Sequence, residues 1–238
     1  MAALEDCQVA VGYKVYLAQA QSWLAGKRTI CRGMTRELER AELALELALA
    51  GQRVAVVSGG DPGVYAMAAV VFELARSREI ALGPEGLAVE VIPGVPAVTA
   101  AAALLGAPLS HDFACISLSD RLTPWEEIER RLELAARAEL VIALYNPRSR
   151  GRPWQYGRAL EVIGRHRAGG TPVGVVWRAG REGQRVEVTT LARAGGVEVD
   201  MQSLAIVGNS RSFTWSGFMV TPRGYLDKYG GGGDQGRG

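Results

Sequence analysis

The feature that most constrains this fold is a strand, a glycine-rich turn and a helix in direct succession between residues 53 and 75. Residues 53–57 (RVAVV) form a short apolar run typical of a buried strand, and the stretch SGGDPG follows at once. Residues 64–75 then have the apolar spacing of a helix. A strand that leads into a helix in this way normally returns as a parallel neighbour, so the unit predicts an α/β fold.

The same order of elements recurs around this unit in the first half of the chain. An amphipathic helix is predicted over residues 34–50, where Gly51 ends it. A further strand and helix are predicted over residues 88–92 and 97–105. We therefore expect an N-terminal α/β domain over residues 1–112, with its ligand edge at the carboxyl ends of parallel strands.

The second half is richer in strands and predicts a second α/β domain with a mixed sheet over residues 113–228. One helix is predicted to begin with Thr123 as N-cap, Pro124 at the first helical position and Glu126 closing a capping box. Another helix is predicted over residues 154–167. Strands are predicted over residues 114–118, 139–145, 173–179, 185–190, 203–207 and 213–220. Residues 229–238, which are mostly glycine, are expected to be a disordered tail.

Charge and cysteine content narrow the class of partner. The chain has 27 Lys and Arg against 25 Asp and Glu, and this net charge of +2 is too small for a nucleic-acid-binding face. Most of the positive charge is arginine, which favours paired recognition of carboxylates, so an acidic small molecule is expected. Cys7, Cys31 and Cys115 are too far apart for a disulfide framework or a metal motif. With no long apolar run and no signal-peptide pattern, we expect no membrane association and a cytoplasmic protein.

The glycine-rich turn has two interpretations. Gly59, Gly60 and Gly63 lack side chains, so backbone N–H groups could approach a bound cofactor there. A turn between any strand and helix also favours glycine, and this motif alone does not separate the two. A dinucleotide site is disfavoured, because the spacing is not GxGxxG and Pro62 removes a donor.

Seven sequence blocks taken together resemble, in order, those of the tetrapyrrole (corrin/porphyrin) methylase family. They are VGYKVYL from residue 11, GMTRELERA from 33, VVSGGDPGVYAMA from 56, VIPGVPAVTAAAALLGAPLSHDF from 91, SLSDRLTPWEEIERRL from 117, LYNPRSRGR from 144 and IVGNSRSF from 206. The blocks SLSDRLTPW and YNPRSRGRP are most similar to the branch that methylates carbon 17 of precorrin-3B.

The resemblance implies two α/β domains with S-adenosylmethionine in the cleft between them, a tetrapyrrole lying over its methyl group, and a homodimer. The positions that match the family's cofactor-binding residues are Gly59, Gly60, Asp61, Val64, Thr99, Ala100, Tyr145, Asn146 and Ala179. Asp61 is the expected side-chain partner of a polar cofactor group, since a carboxylate accepts strongly from such donors. It could equally be a turn residue that caps the next helix.

Methyl transfer from a sulfonium needs no metal, and no metal site is expected. The ring contraction implied for this branch moves protons, so acid–base groups would help. The candidates are His111 and Asp112 at the predicted domain junction, and Ser119 and Asp120 after the first strand of the second domain. His111 could instead be a structural histidine at a hinge.

The tetrapyrrole carries several carboxylates on a flat apolar body, and three arginines in one loop suit such a ligand. Arg148, Arg150 and Arg152 follow an apolar strand, and we expect them to bind the substrate carboxylates.

Some alternatives stay open. Within the family, the substrate could be cobalt-factor III, or a precorrin methylated at another ring position. The stretch from residue 2 to residue 13 resembles the part of the family that follows its first strand, so that strand is expected to be absent from the sheet. The chain could therefore also be a non-catalytic S-adenosylmethionine-binding module.

Overall fold

The computed structural model describes residues 2–33, 35–149 and 151–230. Backbone contacts divide the chain into two compact units, Met1–Pro96 and Ala97–Gly238. This division lies earlier than the boundary predicted after residue 112, because the helix over Ala97–Leu105 packs on the strands of the second unit. Of the predicted tail, residues 231–238 lie outside the described residues, whereas Tyr229 ends a helix.

The first unit is built on a parallel sheet. Its elements are α1 (Ala2–Asp6), β1 (Val9–Gly12), α2 (Lys14–Gln19), a 3-10 turn (Gln21–Trp23), β2 (Arg28–Cys31), α3 (Glu37–Leu49), β3 (Val54–Val57) and α4 (Met67–Ser77). β1 lies in the centre and pairs in parallel with β2 on one side and β3 on the other. The parallel sheet predicted for the first half is confirmed.

α3 buries one face, on which Arg40 lies together with Ala41, Ala44 and Leu45. The apolar face is therefore narrower than the sequence pattern predicts, because Leu38 and Leu49 are exposed. The helix ends where Gly51 adopts a φ of 83° and donates its N–H to the carbonyl of Ala48 at 2.9 Å. The helix predicted over residues 34–50 is thus confirmed with shorter bounds, and Met34 lies outside the described residues.

β3 is an edge strand, and an apolar groove of about 350 Å³ runs beside it. The strand predicted over residues 88–92 does not form in the described chain. Instead these residues line the groove together with β3, and Val89, Val91 and Ile92 remain about two-fifths exposed. The prediction is wrong because a strand needs a partner backbone about 4.8 Å away, and the groove occupies that position.

The second unit contains a five-stranded mixed sheet and a smaller three-stranded sheet. Its elements are α5 (Ala97–Leu105), β4 (Gly106–Ala107), β5 (Phe113–Ser117), α6 (Trp125–Arg137), β6 (Val141–Tyr145), α7 (Gln155–Gly164), β7 (Pro172–Trp177), β8 (Arg185–Thr190), α8 (Leu191–Ala194), β9 (Ser203–Val207), β10 (Phe213–Trp215), β11 (Phe218–Val220) and α9 (Tyr225–Tyr229). The large sheet has the order β5-β6-β9-β7-β8, and the small one β10-β11-β4. The mixed sheet predicted for the second half is confirmed.

Both faces of the large sheet are covered. On β6, Ile142 and Leu144 pack into an apolar cluster with α6 and α7, whereas Val141 and Ala143 pack on the opposite side with α5. Successive side chains of a strand point to opposite faces, so burial on both faces requires a continuous apolar run. The sequence VIALY meets that requirement, and all but its last residue are buried.

Two local predictions in this unit are corrected. Pro124, not Thr123, is the N-cap of α6, and no side chain caps the helix. The capping box fails because this start moves Glu126 out of the third helical position that a capping box needs. The single strand predicted over residues 213–220 is a hairpin, β10 and β11, whose turn residues Ser216 and Gly217 both have positive φ.

In the described part of the chain, no helix is both long and apolar enough to cross a bilayer.

Candidate active site

Three strands of the large sheet end at one edge, and several of the predicted site residues of the second unit follow these strand ends. β5 and β6 are parallel, and β6 and β7 are both antiparallel to β9. The carboxyl ends of β5, β6 and β7 therefore lie at the same edge, where ligands bind in open α/β sheets. We call this the ligand edge of the second unit.

The first turn of α5 also reaches the ligand edge. The hydroxyl oxygen of Tyr145, the last residue of β6, accepts a hydrogen bond from the backbone N–H of Val98 at 3.0 Å. Tyr145 and Ala179 pack against the same apolar cluster as Val98. Thr99 and Ala100 follow Val98 in α5, so the structure brings all five predicted cofactor positions of this unit together. These five are Thr99, Ala100, Tyr145, Asn146 and Ala179.

Asn146 is held in an unusual backbone conformation at this edge. Its φ is 52°, in the left-handed region that asparagine tolerates better than most residues. The amide Nδ2 of Asn146 donates to the Oγ of Ser117 at 3.0 Å, and the same oxygen accepts from the backbone N–H of Ser119 at 3.2 Å. Ser117 therefore joins the ends of β5 and β6. Its sequence signals are its place near the end of a predicted strand and its position as the first residue of the block SLSDRLTPW.

In the first unit, the glycine-rich turn between β3 and α4 is held against a second loop. Gly60 has a φ of 74° and is exposed. A Cβ atom on Gly94 would lie 2.1 Å from the carbonyl oxygen of Gly60, so these backbones can meet only because Gly94 has no side chain. Val64 donates its N–H to the carbonyl of Asp61 at 3.2 Å and completes the turn.

The Asp61 carboxylate is the group that links the two loops. One of its oxygens accepts from the N–H of Gly63 at 2.8 Å, and the other accepts from the N–H of Gly94 at 3.0 Å. The bond from Gly94 and then that from Gly63 hold the pKa of Asp61 below its usual value. Both oxygens thus already have backbone donors, which favours the interpretation of Asp61 as a turn residue.

The four candidate acid–base residues lie at two different ends of the sheet. His111 and Asp112 come before β5, and Ser119 and Asp120 come after it. At about 3.3 Å per residue, the strand separates the two pairs by roughly 20 Å. His111 accepts a hydrogen bond at Nδ1 from the backbone N–H of Asp112 and lies about two-fifths exposed at the far end. The structure therefore places only Ser119 and Asp120 at the ligand edge.

The three candidate substrate arginines also differ from one another. Arg148 is exposed, as a ligand-binding residue at a strand end should be. Arg150 lies outside the described residues. Arg152 is only 8% exposed and lies 3.9 Å from the Asp120 carboxylate, so its burial disfavours direct contact with a substrate, and that role stays a prediction.

Among the described residues, no cluster of three or more His, Cys, Asp or Glu side chains is placed to hold a metal ion. The described cysteines are all free thiols.

Comparison with curated proteins finds close relatives over most of the chain. It is 47% identical over 223 residues to a probable cobalt-factor III C(17)-methyltransferase of Salmonella typhimurium, covering 94% of this chain and 90% of that protein. It is 51% identical over 176 residues to a precorrin-3B C(17)-methyltransferase of a Sinorhizobium species, covering 73% of this chain and 67% of that protein.

Solved structures give the same result. The crystal structure of the methyltransferase CobJ superposes with a TM-score of 0.85 at 39% identity, over 93% of this chain and 91% of that one. The uroporphyrin-III C-methyltransferase of Thermus thermophilus, complexed with S-adenosyl homocysteine, superposes at 0.65 with 25% identity over 87% and 88%. The family model described as Tetrapyrrole (Corrin/Porphyrin) Methylases matches residues 1–195. The chain belongs to the tetrapyrrole methylase family.

Proposed function

We propose that this protein transfers the methyl group of S-adenosylmethionine to carbon 17 of a tetrapyrrole in cobalamin biosynthesis. The observation that carries this proposal is the similarity, over nearly the whole chain, to proteins named as C(17)-methyltransferases. The gathering of five cofactor positions at the ligand edge supports it, because they come from three separate parts of the sequence.

The chemistry supplied by the co-substrate is an in-line displacement. The electron pair of the substrate carbon forms the new carbon–carbon bond, the carbon–sulfur bond breaks, and the sulfonium becomes a neutral thioether. The protein contributes position and exclusion of water. In this protein the rigid parts are the Tyr145–Val98 bond and the Ser117–Asn146 bond, which fix the backbone where the cofactor would bind.

Fewer of the four sequence-based candidates remain for acid–base catalysis of the ring contraction. The Asp120 carboxylate accepts a hydrogen bond from the Gln155 side chain at 3.0 Å and lies near Arg152, so its contacts connect the loops after β5 and β6. Ser119 is the candidate that remains at the ligand edge, and we propose that its hydroxyl takes part in proton transfer.

The metal content of the substrate is the main alternative. One relative is named for cobalt-factor III and the other for precorrin-3B, and a chelated cobalt ion would arrive within the macrocycle rather than on protein ligands. We propose precorrin-3B as the substrate and carry cobalt-factor III as the alternative. A cytoplasmic location, proposed from the sequence, agrees with the free thiols of the described residues.

One experiment tests reaction and substrate together. The protein is incubated with methyl-labelled S-adenosylmethionine and either precorrin-3B or cobalt-factor III, and the product is followed by mass and absorbance. We expect one labelled methyl group per macrocycle with one of the two substrates. Tight cofactor binding without transfer to either would instead indicate a non-catalytic S-adenosylmethionine-binding module.

A further inference from the structure

We propose that the loops after β5 and β6 form one joined surface that contacts the tetrapyrrole, with Arg121 and Leu122 as substrate contacts and Arg152 as the residue that positions them. The proposal rests on the proposed function. It keeps Arg148 from the sequence-based set of three arginines and adds Arg121 and Leu122, which are also exposed.

The two loops are joined through a buried guanidinium. Nη1 of Arg152 lies 3.5 Å from the carbonyl oxygen of Leu118, and Nε lies 3.9 Å from the carboxylate of Asp120. Gln155, which is 1% exposed, donates its amide to the same carboxylate at 3.0 Å. A buried guanidinium is costly to fold unless its charge has a partner, so these contacts tie the β6 loop to the β5 loop.

Burial affects the ionisation of Arg152 as expected for such a position. Removal from water lowers the pKa of its guanidinium, the Asp120 carboxylate raises it, and the nearby charge of Arg121 lowers it. Arg121 directly follows Asp120 in the chain, and it is exposed.

The joined loops present exposed groups of two kinds. Leu122 is 99% exposed at the tip of the β5 loop. Its apolar side chain is therefore open to solvent on a loop whose backbone the buried Arg152 contacts at Leu118. Among the described residues, neither Arg121 nor Arg148 has an ion-pair partner, and both are exposed.

Two tryptophans form a second contact between the two loops. Trp154, at the end of the β6 loop, is 49% exposed and stacks edge-on with Trp125 at 4.8 Å between ring centroids. This contact joins the two loops a second time, because Trp125 begins the helix after the β5 loop. It also leaves part of the flat apolar ring of Trp154 exposed at the end of the β6 loop.

These groups fit an amphiphilic polyanion. A flat apolar ring would contact Leu122 and the exposed part of Trp154, and its carboxylates would accept hydrogen bonds from Arg121 and Arg148. Arg152 would not touch the substrate, and its effect would pass through the position of Arg121.

The direct test uses exposed residues, so the variants are expected to fold. Arg121→Ala and Leu122→Ser are compared with Arg130→Ala and Leu226→Ser, which change exposed residues of the same types on α6 and α9. We expect about tenfold higher KM for the tetrapyrrole in the first pair, and values within about twofold of the parent in the second. Cofactor affinity, measured by calorimetry, should stay within about twofold in all four.

The positioning role is tested with Arg152→Lys, which keeps the charge and loses the planar fork. We expect Arg152→Lys to raise the KM for the tetrapyrrole and to leave kcat unchanged. In the double variant Arg121→Ala/Arg152→Lys, the KM should rise by less than the product of the factors measured for the two single variants. If Arg152→Lys is too unstable to assay, the Arg121 and Leu122 variants decide the proposal alone.

Two outcomes are kept distinct. If the parent protein methylates the tetrapyrrole and the Arg121→Ala and Leu122→Ser variants keep the parental KM, the joined-loop proposal is overturned and the proposed function stands. If the parent protein methylates neither macrocycle, the proposed catalytic function is overturned. If it nevertheless binds one macrocycle, and binds it more weakly when Arg121 or Leu122 is changed, the proposed contact surface is supported.

Discussion

The hydroxyl oxygen of Tyr145 accepts the backbone N–H of Val98 at 3.0 Å, which ties the end of β6 to the first turn of α5. This bond satisfies one of the N–H groups that a helix leaves unpaired at its start. It also brings the predicted cofactor positions in α5 next to those in β6, although more than 40 residues separate them in the sequence. The bond is therefore a feature of both the fold and the proposed cofactor site.

Replacing Tyr145 with Phe should lower both stability and cofactor affinity. The N–H of Val98 loses its acceptor, so we expect the free energy of unfolding to fall by about 1 kcal/mol. Cofactor affinity should fall several-fold because the first turn of α5 is less well fixed. Denaturant unfolding and calorimetry measure the two effects.

Tyr156→Phe is the matched control for this change. The Tyr156 hydroxyl is buried with no hydrogen-bond partner among the described residues, and burial raises its pKa. Removing it should therefore leave stability unchanged or increase it. Equal losses in the two variants would mean that the Tyr145 bond has no special role.

Replacing Gly94 with Ala should disturb the glycine-rich turn. The new methyl group would lie 2.1 Å from the carbonyl oxygen of Gly60, so the backbone must move, and we expect a loss of about 1–3 kcal/mol in unfolding free energy. Gly157→Ala is the control, since this exposed glycine of α7 has open space around its Cβ position. That variant should gain about 0.5–1 kcal/mol. If both substitutions change the free energy of unfolding in the same direction, the close approach of Gly94 to Gly60 is contradicted.

The strands of the second unit could be predicted from sequence because burial on both faces leaves a local signal. The run VIALY is apolar throughout, and β6 occupies the range that the run suggests. Residues 88–92 carry a similar signal but form no strand. Their fate depends on whether another backbone lies alongside, and that depends on residues distant in sequence.

The candidate site could be predicted in part. The cofactor positions come from the resemblance of the sequence blocks to the tetrapyrrole methylase family, and the structure places those of the second unit at the ligand edge and in the first turn of α5. The burial of Arg152 could not be predicted, because it depends on Asp120 in another loop. The distance between His111 and Ser119 could be predicted from the sequence, because a strand of five residues lies between them.

The Asp61 carboxylate should make stability depend on pH in the acid range. Its pKa is about 3.9 in the unfolded chain and lower in the folded protein, because Gly94 and Gly63 donate to the ionised form. The stabilising effect is therefore fully present above about pH 4 and is lost as the pH falls through the lower folded value. Asp61→Asn should flatten this part of the stability curve, measured by thermal unfolding between pH 2 and pH 6, roughly the range in which such a carboxylate titrates. A variant with the parental pH dependence would show that the carboxylate contributes nothing there.

A homodimer is proposed from the family resemblance, and one surface makes the proposal testable. The hairpin β10–β11 exposes Phe213, Trp215 and Phe218, with Trp215 at 74%. Sedimentation equilibrium should give about twice the chain mass of 25.4 kDa, and Trp215→Lys should shift the mass toward the monomer if the hairpin lies in the interface. A parent mass equal to one chain would contradict the dimer, and an unchanged dimer in the variant would place the interface elsewhere.

The last prediction concerns which end of the large sheet carries the acid–base chemistry. His111 and Asp112 lie at the amino end of β5, and Ser119 lies at its carboxyl end beside Asn146 and Ser117. A proton-transfer group must reach the reacting atoms to within hydrogen-bond distance, so only the carboxyl end can serve a cofactor bound at Tyr145 and Asn146.

We therefore expect His111→Asn to keep kcat within about twofold of the parent, and Ser119→Ala to lower it by about 100-fold or more if the hydroxyl transfers a proton. Ser119→Thr, which restores a hydroxyl, should recover part of the rate, whereas a purely structural loss would not be rescued in this way. Single-turnover rates at saturating cofactor and substrate make the comparison independent of binding. A large loss in the His111 variant with normal rates in the Ser119 variants would reverse the assignment and place the chemistry at the amino end of the sheet.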